Sequence, residues 1–180
     1  GGVLLEWDPR PVFQRYFPDQ PQALENFLTE IDFFEWNTHQ DKGRTFAEGI
    51  ALHSAKFPKH APLIQAYFDY WEASVTGAIT GTVDVLKILK EKGYPLFCLS
   101  NWSAETFPRA RRKYPFFDLF DDIILSGEVK LNKPDPAIFN LLLNKIGYSA
   151  PECLLIDDSK PNIDTAKSLG FNTIHFQSPP

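Results

Sequence analysis

Two adjacent carboxylates, Asp157 and Asp158, end an apolar run that has the length of a buried strand, within the segment CLLIDDSKPNIDTAKSLG at residues 153–170. Removing a carboxylate from water is unfavourable by several kcal/mol unless it is paired or bound to a metal. One of the two could cap the helix that follows, but not both. The pair therefore predicts a cation at this point, and carboxylate oxygens are ligands that Mg²⁺ prefers.

Polar side chains also follow other apolar runs of the sequence. The run LFCLSNWS places Ser100 and Asn101 just past its end, and the segment GEVKLNKPDP places Lys133 ahead of a helix start. Taken singly, Ser100 and Asn101 are also typical of a turn, and Lys133 of a solvated lysine. Hydroxyl, amide and ammonium groups donate hydrogen bonds to phosphate oxygens. Together with the acidic pair, they predict a site for a phosphate and its Mg²⁺ ion.

From about residue 80 onward, short apolar runs alternate with helical patterns. We predict strands over residues 96–100, 123–126, 154–157 and 173–176. Predicted helices lie over 82–92 before Gly93, from the cap Asp135 with Pro136 to Gly147, and between Pro161 and Gly170. Such repeats predict an α/β fold with a parallel sheet and helices on both faces. Ligands bind such sheets at the carboxyl ends of the strands, where the polar residues above are expected.

Residues 10–80 differ from the rest of the chain, because they show helical periodicity, many aromatic residues and no convincing strand. We predict a helical bundle with a core formed by Phe27, Leu28, Ile31, Phe34, Ile50, Leu52, Ile64, Tyr67, Phe68 and Trp71. This pattern predicts a helical cap over residues 12–79, inserted into a core domain made of residues 1–11 and 80–180.

The most polar and aromatic stretch of the predicted cap is FFEWNTHQDKGR, residues 33–44. Trp36, Asn37, His39 and Gln40 combine stacking surface with hydrogen-bonding groups, as a pocket for a sugar or another small polar ligand does. His39 is a candidate general acid, because histidine is a common proton donor in catalysis, although a surface histidine is the alternative. Trp102 is predicted to contribute to substrate binding at the boundary between cap and core. The alternative is that Trp36 belongs to the core and the others to an exposed loop.

Composition and charge exclude several classes of protein. The formal net charge of -5 argues against a nucleic-acid partner, since such binding depends on a basic surface. No apolar stretch is long enough to span a bilayer, and no signal peptide opens the chain, so a membrane partner is not expected. The only two cysteines, Cys98 and Cys153, lie in apolar runs and are interpreted as reduced core residues. These features predict a cytoplasmic protein.

Three motifs in order resemble those of the haloacid dehalogenase superfamily. They are Ser100-Asn101 after an apolar strand, the Lys-Pro-Asp-Pro segment at residues 133–136, and the acidic pair with Asn162 four residues after its second member. The resemblance covers essentially the whole chain and implies a Rossmann-like core with a C1-type helical cap. It is most similar to the small sugar-phosphate phosphatases, such as the α-glucose-1-phosphate phosphatases.

This resemblance implies a Mg²⁺-dependent phosphatase that acts on a small phosphorylated metabolite through an aspartyl-phosphate intermediate. Asp158 is expected to be the direct metal ligand, Asp157 a second ligand or a support for it, and Asn162 a residue behind the ligands. The opening residues GGVLLEWDPR resemble the end of the family's first motif, so the nucleophilic aspartate is expected two positions before Gly1. Gly1 stands where most of these phosphatases carry their acid–base aspartate, and its backbone carbonyl could bind the metal.

Two alternatives remain open at this point. A 2-haloacid dehalogenase on the same fold needs no metal, and members of that branch carry neutral residues where Asp157 and Asp158 stand. Adjacent carboxylates would repel its carboxylate substrate. The second alternative is a catalytically silent member that serves as a binding module, since neither the nucleophile nor the usual acid is present in the sequence. The residues that precede Gly1 would separate these possibilities, while the substrate and the oligomeric state do not follow from the sequence.

Overall fold

A computed structural model describes residues 2–178 of the chain, and the predicted metal contact of the Gly1 carbonyl lies outside these residues. The strands in chain order are β1 Leu5–Trp7, β2 Val75–Ala78, β3 Phe97–Ser100, β4 Asp122–Leu125, β5 Leu154–Asp157 and β6 Asn172–His175. The α-helices are α1 Arg10–Phe13, α2 Pro21–Glu30, α3 Phe33–Asp41, α4 Phe46–Lys56, α5 Ala61–Asp69, α6 Thr80–Glu91, α7 Phe107–Lys113, α8 Ser126–Val129, α9 Pro136–Ile146 and α10 Lys160–Ser168. None of the described helices is long and apolar enough to cross a membrane.

The four strands predicted in the second half of the chain are confirmed, with ends that differ by at most one residue. Strand β3 pairs in parallel with β4, and β5 pairs in parallel with β6. Ser126 was expected to end a strand, but it begins helix α8 instead. The predicted α/β fold with parallel strands is therefore confirmed. The carboxyl ends of β3 and β5 carry Ser100 and Asp157.

The parallel strands form two ladders that do not join within residues 2–178. The described residues form three separate two-stranded ladders, and β3 and β5 share no backbone ladder. Each strand of the two parallel pairs thus has one edge without a strand partner among the described residues. On one face of the β5–β6 pair, the side chains of Leu154, Ile156 and Ile174 are exposed, although such apolar residues are usually covered in a parallel sheet.

The helices that were predicted between the strands begin and end at their expected signals. The Asp135 side chain accepts a hydrogen bond from the Ala137 N–H, Pro136 opens α9, and Gly147 ends it with a left-handed φ of 75°. Helix α6 begins two residues earlier than predicted. The buried side chains of α9 and α10 pack on β3 and β4 in one apolar cluster, which comprises Leu99, Ile124, Ile138, Phe139, Leu142, Ala150, Ala166 and Phe171.

Helices α1 to α5 form an aromatic bundle in the segment that was predicted to be helical. Phe13, Phe33, Trp36, Phe46 and Tyr67 lie at its centre in a set of aromatic contacts. Most of the predicted core is buried or partly buried there.

Two details of that prediction are wrong. Phe34 and Leu52 are half-exposed, because each points from its helix toward solvent. The segment also contains a strand, β2, which pairs antiparallel with β1. This pairing brings the start and the end of the helical segment together. The division of the chain into a core and a cap over 12–79 stays a prediction.

Candidate active site

Asp157 is a buried carboxylate that is fully engaged by its neighbours. Its Oδ2 lies 2.6 Å from the Lys133 Nζ, and its Oδ1 accepts from the Ser159 N–H and the Asn162 Nδ2, both at 2.9 Å. Burial alone would raise the pKa of Asp157, but the Lys133 ammonium and these hydrogen bonds lower it below the ordinary value. The carboxylate is therefore ionised at neutral pH, and it anchors the lysine on one side and helix α10 on the other.

Lys133 connects the carboxyl ends of the two parallel strand pairs. Its Nζ donates to the Leu99 carbonyl of β3 at 2.7 Å as well as to Asp157 of β5. Its backbone is held by Asn101, whose Oδ1 accepts from the Lys133 N–H at 2.9 Å and whose Nδ2 donates to the Lys133 carbonyl at 2.8 Å. Each polar atom of the Asn101 amide thus has a partner in the chain, so this residue fixes Lys133, whereas the sequence predicted a direct phosphate contact.

Ser100 is the last residue of β3 and directly precedes Asn101. Its side chain is partly exposed, and its hydroxyl forms no hydrogen bond with another described residue. A hydroxyl in this position remains available to a phosphate oxygen. The structure therefore brings Ser100, Asn101, Lys133 and Asp157 to one edge of the parallel strands, as their positions after the predicted strands indicated.

Asp158 differs from its neighbour because its side chain is exposed and forms no ion pair with another described residue. Its carboxylate lies against Gly2, where an added Cβ would come within 2.0 Å of Oδ2. Gly2 also has a left-handed φ of 82°, which favours glycine. The backbone near the start of the chain therefore lies directly beside the free carboxylate.

The residues present fit a Mg²⁺ ion, although no group of three His, Cys, Asp or Glu side chains that could hold a metal is found between residues 2 and 178. Mg²⁺ keeps several waters and needs only one or two carboxylates together with a substrate phosphate. Asp158 supplies a free carboxylate, whereas both oxygens of Asp157 already accept hydrogen bonds. The donor set thus favours Asp158 as the ligand and Asp157 as its support.

The structure places Trp36 and Gln40, which were predicted to contact substrate, inside the helical bundle. Trp36 is 3% exposed and donates from Nε1 to the Gly49 carbonyl at 3.0 Å. Gln40 is fully buried, donates to the Trp36 carbonyl at 2.5 Å and accepts from the Arg44 Nε at 2.6 Å. Both side chains use their polar groups inside the bundle, which leaves them unavailable to a ligand.

The other predicted contacts of the cap lie nearer its surface. His39 is exposed and lies 3.5 Å from Glu35 on the same helix, as a solvated histidine does. Asn37 donates to the Asp41 Oδ2 at 3.1 Å. Trp102 contacts Trp71 at 5.8 Å between ring centroids, so it does lie at the junction of the helical bundle and the strand ends.

A polar seam between the bundle and the strand ends was not anticipated from the sequence. Asp41, the last residue of α3, accepts from the Ser103 N–H at 3.1 Å, and its carbonyl accepts from the Ser126 hydroxyl. Glu105 accepts from the Phe46 N–H at the start of α4 at 2.6 Å. One signal in the sequence could have identified Asp41. A carboxylate at the C-terminal end of a helix interacts unfavourably with the helix dipole, so its presence there indicates a contact outside the helix.

Comparison with known proteins places this site in a family. A model of haloacid dehalogenase-like hydrolases matches residues 2–170. The chain is 31% identical to the sesquiterpene phosphatase astK of Aspergillus oryzae over 98% of its length and 86% of that protein. It is also 31% identical to the phosphorylated carbohydrates phosphatase of Thermotoga maritima, over 86% of this chain but only 59% of that protein.

A similar solved structure is the haloacid dehalogenase-family enzyme bt-2542 of Bacteroides thetaiotaomicron in complex with magnesium and inorganic phosphate. The two chains superpose with a TM-score of 0.76 and 28% identity, over all of this chain and 92% of the other. The strand-end site, the parallel fold and the family match agree, and the chain belongs to the haloacid dehalogenase-like hydrolases.

Proposed function

We propose that the protein is a Mg²⁺-dependent phosphatase that hydrolyses the phosphomonoester of a small metabolite through an aspartyl-phosphate intermediate. The observation that carries this proposal is the Lys133–Asp157 pair at the carboxyl ends of β3 and β5, with Ser100 and the exposed Asp158 beside it. An ammonium and a hydroxyl suit the oxygens of a phosphate dianion, and a free carboxylate suits its metal ion.

Each residue of the site has a distinct task in this reaction. Lys133 neutralises negative charge on the equatorial phosphate oxygens, and Ser100 donates a hydrogen bond to one of them. Asn101 holds the Lys133 backbone, and Asp157 holds its ammonium. Asp158 would hold Mg²⁺, which when bound supplies further neutralisation of the phosphate charge.

The nucleophile in this proposal is an aspartate carried by residues that precede Gly1. Within residues 2–178, β3 and β5 each have an edge without a strand partner, and this supports the assignment, since a strand placed between them would satisfy both edges and end beside Lys133. Its carboxylate oxygen attacks phosphorus, the bond to the leaving oxygen breaks, and that oxygen takes up a proton. Water then attacks the aspartyl-phosphate and releases inorganic phosphate with the free carboxylate.

The proposed substrate class is inferred from the related proteins and not from the residues of the predicted cap. The named activities of the Aspergillus and Thermotoga proteins support an organic phosphate as substrate. Trp36 and Gln40, which suggested a sugar pocket, are buried in the bundle. A small phosphorylated metabolite, similar to a sugar phosphate, therefore remains the proposed substrate, while its carbon skeleton is left open.

The two alternatives make different use of the same residues. A dehalogenase would have to place a carboxylate substrate beside the exposed Asp158, where like charges repel. A silent binding module would not require the buried Lys133–Asp157 pair, whose formation removes two charges from water. Both observations favour the phosphatase.

The experiment is a phosphate-release assay on the full-length protein with a panel of small phosphomonoesters. Activity is expected only with Mg²⁺, and Asp158→Asn should remove nearly all of it. Asp164→Asn is a matched control, because Asp164 is an exposed carboxylate of α10 that forms an ion pair with Lys160. Undiminished activity in EDTA, or release of halide from 2-chloropropionate, would favour the dehalogenase. A wild-type protein without either activity would favour the silent module.

A further inference from the structure

Asp41 is a carboxyl group held between the helical bundle and the strand-end loops. Its Oδ1 accepts from the Ser103 N–H and its Oδ2 from the Asn37 Nδ2, each at 3.1 Å. Its own carbonyl accepts from the Ser126 hydroxyl, which also accepts from the Trp102 N–H at 2.8 Å. The carboxyl thus touches the loop that begins directly after Ser100, while the backbone of the same residue touches the end of β4.

The end of α3 also approaches the loop that carries Lys133. The Asn132 Nδ2 donates to the Thr38 carbonyl at 3.4 Å, one residue before the lysine and one helical turn before Asp41. An added Cβ at Gly43 would meet the Gly127 carbonyl at 2.8 Å, so the chain just past Asp41 packs tightly on α8. The end of α3 therefore lies against the two loops that hold the proposed phosphate contacts.

No lysine, arginine or histidine among residues 2–178 forms an ion pair with Asp41, and burial raises the pKa of its carboxyl to about 7. The charged groups on the neighbouring elements are already engaged. Arg44 donates to Gln40 and to the Trp36 carbonyl, and Glu105 accepts from the Phe46 N–H.

Three further groups complete the surroundings of this carboxyl. Tyr67 of α5 is buried, and the Asp41 charge contributes to raising the pKa of its phenol. Glu128 and Lys130, in and just after α8, bring one charge of each sign. Asp41 therefore has no dedicated counter-ion among residues 2–178, and with a pKa of about 7 it carries a proton over part of the neutral pH range.

The proposed reaction lacks a proton donor for the leaving oxygen, because a glycine stands at the position where the sequence resemblance implies an acid. We propose that Asp41 is this donor, and so a catalytic residue of the phosphatase. This inference rests on the proposed function. As the bond from phosphorus to the leaving oxygen breaks, the Asp41 carboxyl gives its proton to that oxygen, which departs as an alcohol. The resulting carboxylate takes a proton from the water that attacks the aspartyl-phosphate, and this restores the carboxylic acid.

The test compares two leaving groups in the full-length protein. An alkyl phosphate, such as glycerol phosphate, needs a proton on its leaving oxygen, whereas p-nitrophenyl phosphate leaves as a stabilised anion. Asp41→Asn should lower kcat/KM, which reports the steps up to departure of the leaving group, by on the order of 100-fold or more for the alkyl substrate and by less than about threefold for the aryl substrate. Ser126→Ala is the matched control, since it removes a contact of the Asp41 backbone and leaves the carboxyl intact, so it should affect both substrates alike.

The pH dependence of the wild type tests the same inference without a variant. The ratio of alkyl to aryl kcat/KM should fall as the pH rises through about 7, because the donor loses its proton. Asp41→Asn should show no such fall. An equal loss of kcat/KM for both substrates in Asp41→Asn, or a wild-type kcat/KM ratio that does not change with pH, would overturn the inference and leave the phosphatase intact. Wild-type protein that hydrolyses neither substrate would overturn the proposed function and the inference with it.

Discussion

Replacing each member of the acidic pair by asparagine should separate a structural carboxylate from a metal-binding one. Asp157→Asn removes the counter-ion of Lys133, whose side chain is only 9% exposed against 4% for the aspartate. Removing one partner of a buried ion pair costs roughly 3 to 5 kcal/mol of unfolding free energy, because the other charge stays buried. Asp158→Asn alters an exposed side chain and should change stability by less than about 0.5 kcal/mol.

Thermal and urea unfolding of the two full-length variants, without Mg²⁺, measure this difference. For a domain of this size Asp157→Asn should lower Tm by roughly 10 °C, while Asp158→Asn should melt near the wild type. The low pKa of Asp157 means that its stabilisation is present at neutral pH and is lost as the pH falls below about 4. The difference in Tm between the wild type and Asp157→Asn should therefore disappear at acidic pH. Equal melting temperatures at neutral pH, or a larger loss in Asp158→Asn, would refute this assignment.

Two further predictions concern the cap and the glycine beside Asp158. Trp36→Ala should cost about 3 to 5 kcal/mol of stability, because the indole is buried in the core. It should leave the ratio of rates on a hexose phosphate and p-nitrophenyl phosphate unchanged. An unchanged melting temperature together with an altered rate ratio would contradict this prediction. Gly2→Ala should raise the Mg²⁺ concentration for half-maximal activity by on the order of tenfold, because the new Cβ displaces the Asp158 carboxylate. Gly77→Ala is its control, as nothing lies within 4 Å of that position, and an equal effect of both substitutions would argue against the contact.

The strands and helices that carry the site could be predicted from sequence because their signals are local. Each signal lies within a few residues of the strand or helix end that it defines. Examples are the apolar run before Asp157 in β5, the Asp135 cap at the start of α9 and Gly147 at its end. Strand β2 escaped prediction because its four residues include Gly77 and show no long apolar run. Its strand character depends on pairing with β1, about 70 residues away in the chain, and such pairing leaves no local pattern.

The site could be predicted in outline, while the side-chain partners could not. The positions of Ser100, Lys133 and Asp157 relative to the predicted strands were sufficient to predict that these residues lie at one edge of the sheet. They could not show that Asn101 binds the Lys133 backbone, since that contact joins loops 32 residues apart. Trp36 has the chemistry of both a core and a pocket residue, and only the packing of the neighbouring helices decides which face of α3 is buried.

A crystal structure of the full-length protein with Mg²⁺ and orthovanadate, a mimic of the transferred phosphoryl group, would test the central claim most directly. The account predicts vanadate oxygens within hydrogen-bond distance of the Lys133 Nζ and the Ser100 hydroxyl, with Mg²⁺ bound by Asp158. It also predicts that Asp157 keeps its contact with Lys133 in that complex. Vanadate bound away from the carboxyl ends of β3 and β5, or a metal ion that does not contact Asp158, would contradict the assignment of this edge as a phosphate and metal site.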